Sequence, residues 1–173
     1  MSPRILTPAA VAGIELFLMD VDGVLTDGRL YFGTNGFAAK SFHVRDGFGI
    51  ALLHRAGIRT GIVSGREEDF VRKRAEDLGM AFVRLGALDK ASVVDEILAQ
   101  SSVKRSAVAY LGDDAIDTPA FARVGVSIAV CDAHPSALAA ARYKTRTPGG
   151  LGAVREVADA ILAARNTKEK AVD

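Results

Sequence analysis

The chain has 173 residues, 49% hydrophobic and 25% charged, which fits one folded globular domain over residues 1–173 and excludes wholesale disorder. Its 22 Lys and Arg against 21 Asp and Glu leave a net charge of +1, so nothing favours a nucleic-acid or membrane-surface role. One cysteine, Cys131, excludes an internal disulfide framework or cysteine zinc site, and no run reaches the roughly 18 uncharged apolar residues of a membrane span, so a cytoplasmic protein is expected.

In chain order, Ile14–Met19 is nearly all apolar and predicts a strand buried on both faces. Residues 27–44 then break the pattern. Two alternating apolar runs flank Asn35-Gly36, a strong hairpin signal, and carry Leu30, Phe32, Phe37 and Phe42. A lone two-stranded hairpin is marginal in water, so this one is expected to pack on something, most simply another copy of the chain. A helical period follows over Arg45–Ala56, stopped by Gly57. Strands are predicted at Ile58–Val63, Ala81–Arg84, Ala107–Leu111 and Val126–Val130. Helices are predicted at Glu67–Leu78, Lys90–Gln100, Asp117–Val124, Pro135–Ala141 and Ala153–Ala164, with a polar, frayed tail at 166–173. This alternation argues for an α/β fold: a three-layer, Rossmann-like parallel sheet with helices on both faces, an inserted β-hairpin and no large cap domain.

In such sheets ligands bind beyond the carboxyl ends of the strands. After the first strand come Asp20-Val-Asp22-Gly23, after the second Ser64-Gly-Arg66, and after the fourth Gly112-Asp113-Asp114-Ala-Ile-Asp117; Lys90 opens the third main helix. Carboxylates this close raise one another's pKa unless a cation joins them. Hard oxygen donors without imidazole or thiolate suit Mg²⁺, and Mg²⁺ beside a lysine and a hydroxyl suits a phosphoryl group. A carboxylate such as Asp20 forms an aspartyl-phosphate when it attacks phosphorus, and Asp22, one residue removed, is placed to move protons. Ser64 is also spaced as a helix N-cap, and Asp113, Asp114 and Asp117 also suit capping. Arg66 and Arg74, eight apart, lie on one helix face that would otherwise be a solvated basic stripe.

These four segments, in this order, resemble the motifs of the haloacid dehalogenase superfamily. A closer resemblance, carried by Asp20–Gly28, the hairpin, His43–Gly47, Ser64–Arg66, Gly112–Asp117, Asp132–Pro135 and Gly149–Val157, is to the 3-deoxy-D-manno-octulosonate 8-phosphate (KDO 8-phosphate) phosphatases. The resemblance implies Asp20 as nucleophile and Asp22 as general acid and base. It implies Mg²⁺ on Asp20, the Asp22 backbone carbonyl and Asp113, with Asp114 supporting the water shell. Ser64 and Lys90 would hold the phosphoryl group, with Asp117 as partner of Lys90. Arg66, Arg74 and the segment His43, Val44, Arg45, Asp46 and Gly47 would face a phosphorylated sugar acid. It also implies a homotetramer in which hairpins associate and a neighbour helps close each site. One departure stands out: some members carry a cation four positions after Arg-Asp-Gly, where this chain has Ala51.

Three rivals remain at this point. A phosphatase for a nine-carbon sugar acid tends to carry an acid where this chain has Arg66. A receiver-type phosphoacceptor would place its acidic pair on a different strand from the acceptor and would not need Asp22. A non-catalytic oligomerising domain would not need the full motif set.

Overall fold

The computed structural model describes residues 2–34 and 36–169. Among them, nine strands and six α-helices run in chain order: β1 (Arg4–Ile5), β2 (Leu16–Met19), β3 (Tyr31–Gly33), β4 (Gly36–Ala39), α1 (Val44–Arg55), β5 (Arg59–Val63), α2 (Asp69–Asp77), β6 (Phe82–Arg84), α3 (Lys90–Ser101), β7 (Val108–Gly112), α4 (Thr118–Phe121), β8 (Val126–Ala129), α5 (Pro135–Ala140), β9 (Tyr143–Lys144) and α6 (Ala153–Glu169). Seven strands form one parallel sheet in the order β1-β9-β8-β7-β2-β5-β6. β2 lies between β5 and β7, with Phe17 level with Thr60 and Ala109. Leu16, Phe17, Leu18 and Met19 are all fully buried, as the unbroken apolar run requires of a strand covered on both faces.

The chain steps from β2 to β5 to β6 in one direction, then crosses back to β7 and continues to β8 and β9 in the other. Right-handed crossovers therefore place α1 and α2 on one face and α3, α4 and α5 on the opposite face. The packing agrees: α1 packs on α6, while α3 packs on α4 and α4 on α5. The expected α/β sandwich is present. The reversal of direction beside β2 leaves a crevice at the carboxyl ends of β2, β5 and β7.

Four features differ from the expectations. The edge strands β1 and β9 are two residues each, too short to leave a periodic signature. α2 begins at Asp69 rather than Glu67, because Glu68 is extended at the N-cap. The helix expected over Asp117–Val124 is a 3₁₀ turn, Ala115–Asp117, followed by the single-turn α4 with Pro119 in its first turn. α6 continues to Glu169, five residues past its expected end, with residues 170–173 outside the described part.

The hairpin forms a separate two-stranded sheet, with Phe32 level with Phe37 and a bulge between Tyr31 and Phe32. The turn residue Asn35 and the Phe37 side chain lie outside what is described. Of the four apolar side chains predicted to need cover, Phe42 packs against the main core, while Phe32 is 69% exposed. No described helix is long and apolar enough to cross a membrane.

Candidate active site

The crevice holds an open cavity of about 400 Å³ lined by Asp20, Asp22, Ser64, Arg66, Lys90, Asp113 and Asp114, with Leu88 and Ile116 at its rim. Asp20 continues β2: its N–H donates to the Leu111 carbonyl at 2.9 Å, so the sheet ladder itself aims the side chain. One carboxylate oxygen accepts from Val21 N–H at 2.7 Å and the other pairs with Lys90 Nζ at 2.8 Å. Ser64 is buried at the end of β5, and its hydroxyl accepts from Arg66 N–H at 3.3 Å. Lys90 enters from the first residue of α3, whose N-cap is Asp89. It is fully buried, an arrangement tolerable for a cation only with close anions.

Those anions are Asp20 and Asp117, the latter at 2.7 Å from Nζ. Asp117 is saturated. One oxygen accepts from Lys90 and from the Tyr110 hydroxyl at 2.9 Å; the other accepts from the N–H groups of Asp113 at 2.9 Å and Asp114 at 3.2 Å. It therefore ties Lys90 to the loop after β7. Tyr110 reaches it from inside β7, sealed by an edge-on contact with Phe121. That role was invisible in the apolar run; the signal available was a single polar aromatic in an otherwise aliphatic strand.

Asp20, Asp113 and Asp117 bring carboxylate oxygens within 4.8 Å of one another. Because the Asp117 oxygens are filled by donors, Asp20 and Asp113 are the side chains with capacity for a divalent cation. Their electrostatics call for one. Burial, and the negative charge of Asp117, push Asp20 up to about 7 against the opposing pull of Lys90. Burial and the charges of Asp20, Asp117 and Asp114 push Asp113 up to about 8. Burial alone would lower Lys90, but Asp20 and Asp117 outweigh it and raise it. The oxygen-only donor set fits a hard cation. Gly23 shapes the cradle: at φ +78° it turns the chain so closely past Asp113 that a Cβ there would sit 2.0 Å from Asp113 Oδ2.

Asp22 is turned away from this triad. Its Oδ1 pairs with Lys40 Nζ at 2.6 Å, and Oδ2 lies 3.9 Å from Arg66 Nε. Lys40 also pairs with Glu68, which holds Arg66 Nε at 3.1 Å. In the sequence Lys40 reads as one charge among many, and Glu68 as one of two acids that complement the dipole of the helix that follows. Asp114 caps the 3₁₀ turn and is exposed at the cavity edge, with His134 Nδ1 3.8 Å away.

The remaining predicted residues lie elsewhere. His43, Val44 and Arg45 line a second opening with Asp27, Phe42, Gly150 and Leu151. Asp46 is 1% exposed, and its carboxylate accepts from Arg155 N–H at 2.7 Å, so it braces the start of α6. Gly47 and Arg74 sit together, with the Arg74 guanidinium 5.8 Å from the Phe42 ring. The loop before α6 grips the Gly23 turn. Gly150 N–H donates to the Val24 carbonyl at 2.8 Å, and a Cβ on Gly149 would lie 1.7 Å from the Gly23 carbonyl oxygen.

Residues 83–156 match the family model of the haloacid dehalogenase-like hydrolases. The chain is 46% identical over 160 residues to the 3-deoxy-D-manno-octulosonate 8-phosphate phosphatase KdsC of Yersinia pestis, covering 92% of this chain and 86% of that protein. It superposes on the cobalt-bound deoxy-D-mannose-octulosonate 8-phosphate phosphatase of Haemophilus influenzae with a TM-score of 0.87 at 44% identity, over 91% of this chain and 92% of that one. The 3-deoxy-D-manno-octulosonate 8-phosphate phosphatase of Moraxella catarrhalis, in complex with magnesium, phosphate and KDO, gives 0.88 at 35% identity over 95% of both chains. A strand-end carboxylate site on this sheet topology, together with this similarity over nearly the whole chain, shows that the protein belongs to the KDO 8-phosphate phosphatase family of haloacid dehalogenase-like hydrolases.

Proposed function

We propose that the protein is a Mg²⁺-dependent phosphatase that hydrolyses KDO 8-phosphate to KDO and phosphate, a step supplying lipopolysaccharide precursors in the cytoplasm. The observation that carries this is the meeting of Asp20, Ser64, Lys90 and Asp113 around one cavity, with Asp22 beside it. An Asp20 carboxylate oxygen attacks phosphorus, the P–O bond to the sugar breaks, and an aspartyl-phosphate forms. Asp22 gives its proton to the departing alkoxide, then takes one from the water that attacks the aspartyl-phosphate. Lys90 and Ser64 hold the phosphoryl oxygens, and Asp117 holds Lys90 in place. Asp20, Asp113 and the Asp22 backbone carbonyl would hold Mg²⁺, with Asp114 supporting its waters, and the bound ion would supply positive charge to the phosphoryl group. The magnesium, phosphate and KDO bound by the Moraxella relative support that assignment.

Arg66 lines the cavity, which supports a contact with the sugar acid. His43, Val44 and Arg45 line the second opening, so their role in this proposal is contact with sugar across a subunit boundary or through a shift of the α1 start, whereas the buried Asp46 and Gly47 support that segment from within the fold. A homotetramer closed through hairpins is part of this proposal. It is supported by the exposed Tyr31 and Phe32 of the hairpin, and by Val44 and Leu151 around the second opening. The test is phosphate release from a panel of sugar phosphates with and without Mg²⁺. Preference for KDO 8-phosphate is expected; preference for a nine-carbon sugar acid phosphate, or no turnover of either, would overturn it.

A further inference from the structure

A buried ammonium sits next to the proton-moving carboxylate. The Lys40 side chain is fully buried. It follows β4 at the return end of the hairpin insert. It pairs with Asp22 Oδ1 at 2.6 Å and with Glu68 Oε2, and lies 5.9 Å from the centre of the Phe70 ring. Burying a cation in this way is costly without paired anions, and here two carboxylates supply them. Glu68 Oε1 in turn holds Arg66 Nε at 3.1 Å, so Asp22, Lys40, Glu68 and Arg66 form one chain of contacts between the acid–base residue and the cavity rim.

The geometry separates the two oxygens of Asp22. Oδ1 is a buried atom 2.6 Å from Lys40 Nζ, an ion-pair contact without hydrogen-bond geometry, and among the described residues no hydrogen-bond donor reaches it. Oδ2 points toward Arg66, a residue of the cavity wall. A carboxylate free to rotate would present either oxygen, or neither, to a leaving group. With one oxygen anchored, the other stays on the cavity side.

We propose that Lys40 is a positioning residue that anchors Asp22 through Oδ1, so that Oδ2 is the oxygen that carries the proton, with Glu68 fixing Lys40 in turn. The placement has a further consequence. Lys40 belongs to the hairpin insert and Asp22 to the loop after β2, so seating the hairpin on the body of the protein also sets the acid–base group. The inference rests on the phosphatase reading above but not on its particular substrate.

The test compares two leaving groups. An alkyl phosphate needs a proton on its departing oxygen, whereas p-nitrophenolate leaves without one. Lys40→Met and Lys40→Gln remove the charge and keep much of the length; Lys40→Arg keeps the charge. With any alkyl phosphate that the wild-type enzyme turns over, kcat should fall about 10²-fold in the Met and Gln variants, the lower end of general acid–base contributions. Pre-steady-state release of p-nitrophenol should fall less than about 5-fold in the same variants, and Lys40→Arg should recover most of the alkyl rate. A merely structural ion pair would lower both substrates together. Equal losses on the two substrates, or alkyl turnover within about 3-fold of wild type, would overturn the assignment. A wild-type enzyme that hydrolyses other alkyl phosphates but not KDO 8-phosphate would refute the substrate reading and leave this comparison intact.

Discussion

The strand-end site and the hairpin are built on opposite terms. In the site, donors and acceptors close on one another within the chain: Lys90 meets Asp20 and Asp117, and Asp117 meets four donors. In the hairpin, among the described residues, two short strands pair only with each other, and Tyr31 and Phe32 are 47% and 69% exposed. The chemistry is thus assembled within one chain, while the hairpin of that chain keeps large apolar side chains exposed. Each of the following changes strains one side of that contrast.

The largest effect belongs to Asp20→Asn. The amide fits the same space but does not attack phosphorus, so turnover should be lost while circular dichroism and oligomer mass stay as in wild type. Activity near the wild-type rate would remove Asp20 as the nucleophile.

Asp117→Asn tests whether the site is self-sufficient through this residue. An amide presents hydrogen-bond donors toward some of the four donors now served, and leaves Lys90 buried with one anion. Breaking a buried pair typically costs about 3–5 kcal/mol, and at the low end about 6–12 °C in Tm for a chain of this size. Calorimetry should show that loss together with a strong fall in kcat. An unchanged Tm would mean the network contributes little to the fold.

The charge on Asp20 and Asp113 gives a pH prediction. Asp20 and Asp113, at about 7 and about 8, hold protons in the folded chain that an unfolded chain, titrating near its ordinary carboxylate value, has released. The native state therefore binds more protons over this range, and Mg²⁺-free stability should fall as pH rises from about 4 through about 8. Mg²⁺ should then raise Tm more at pH 8 than at pH 5. Melting curves with equal Mg²⁺ shifts at the two pH values would contradict this account.

The smallest effect on the isolated fold is expected from Phe32→Ser. An exposed substitution of this kind shifts stability by within about 0.5 kcal/mol. If Phe32 is buried between copies, its removal weakens each contact by roughly 1.5–3 kcal/mol. Light scattering should then show dissociation at concentrations where wild type is assembled, with activity falling alongside. A monomeric wild type with full activity would break the contrast, because the site would then need no cover from another copy.

How much of this was legible in the sequence varied with the range of the interactions involved. The long apolar strands were read from local pattern: Leu16–Met19 cannot face water on either side, and it does not. The clustering of Asp20, Ser64, Lys90 and Asp113 was also legible, because a parallel sheet sends every strand end to the same edge. Two-residue edge strands were not, since β1 and β9 are held by partners far along the chain and leave no period of their own. Nor was the use made of each side chain. Tyr110 reads as one apolar strand position, yet its hydroxyl braces Asp117. Asp46 stands in a segment resembling a sugar-binding motif, yet its carboxylate faces the start of α6. Lys40 reads as a surface charge, yet it lies buried against Asp22. Residue type and spacing determined which strand ends could carry phosphoryl chemistry. Which carboxylate is filled by donors, which is left open for a cation and which is anchored by a lysine depended on the folded packing, because each answer is set by a partner from a different element of the chain.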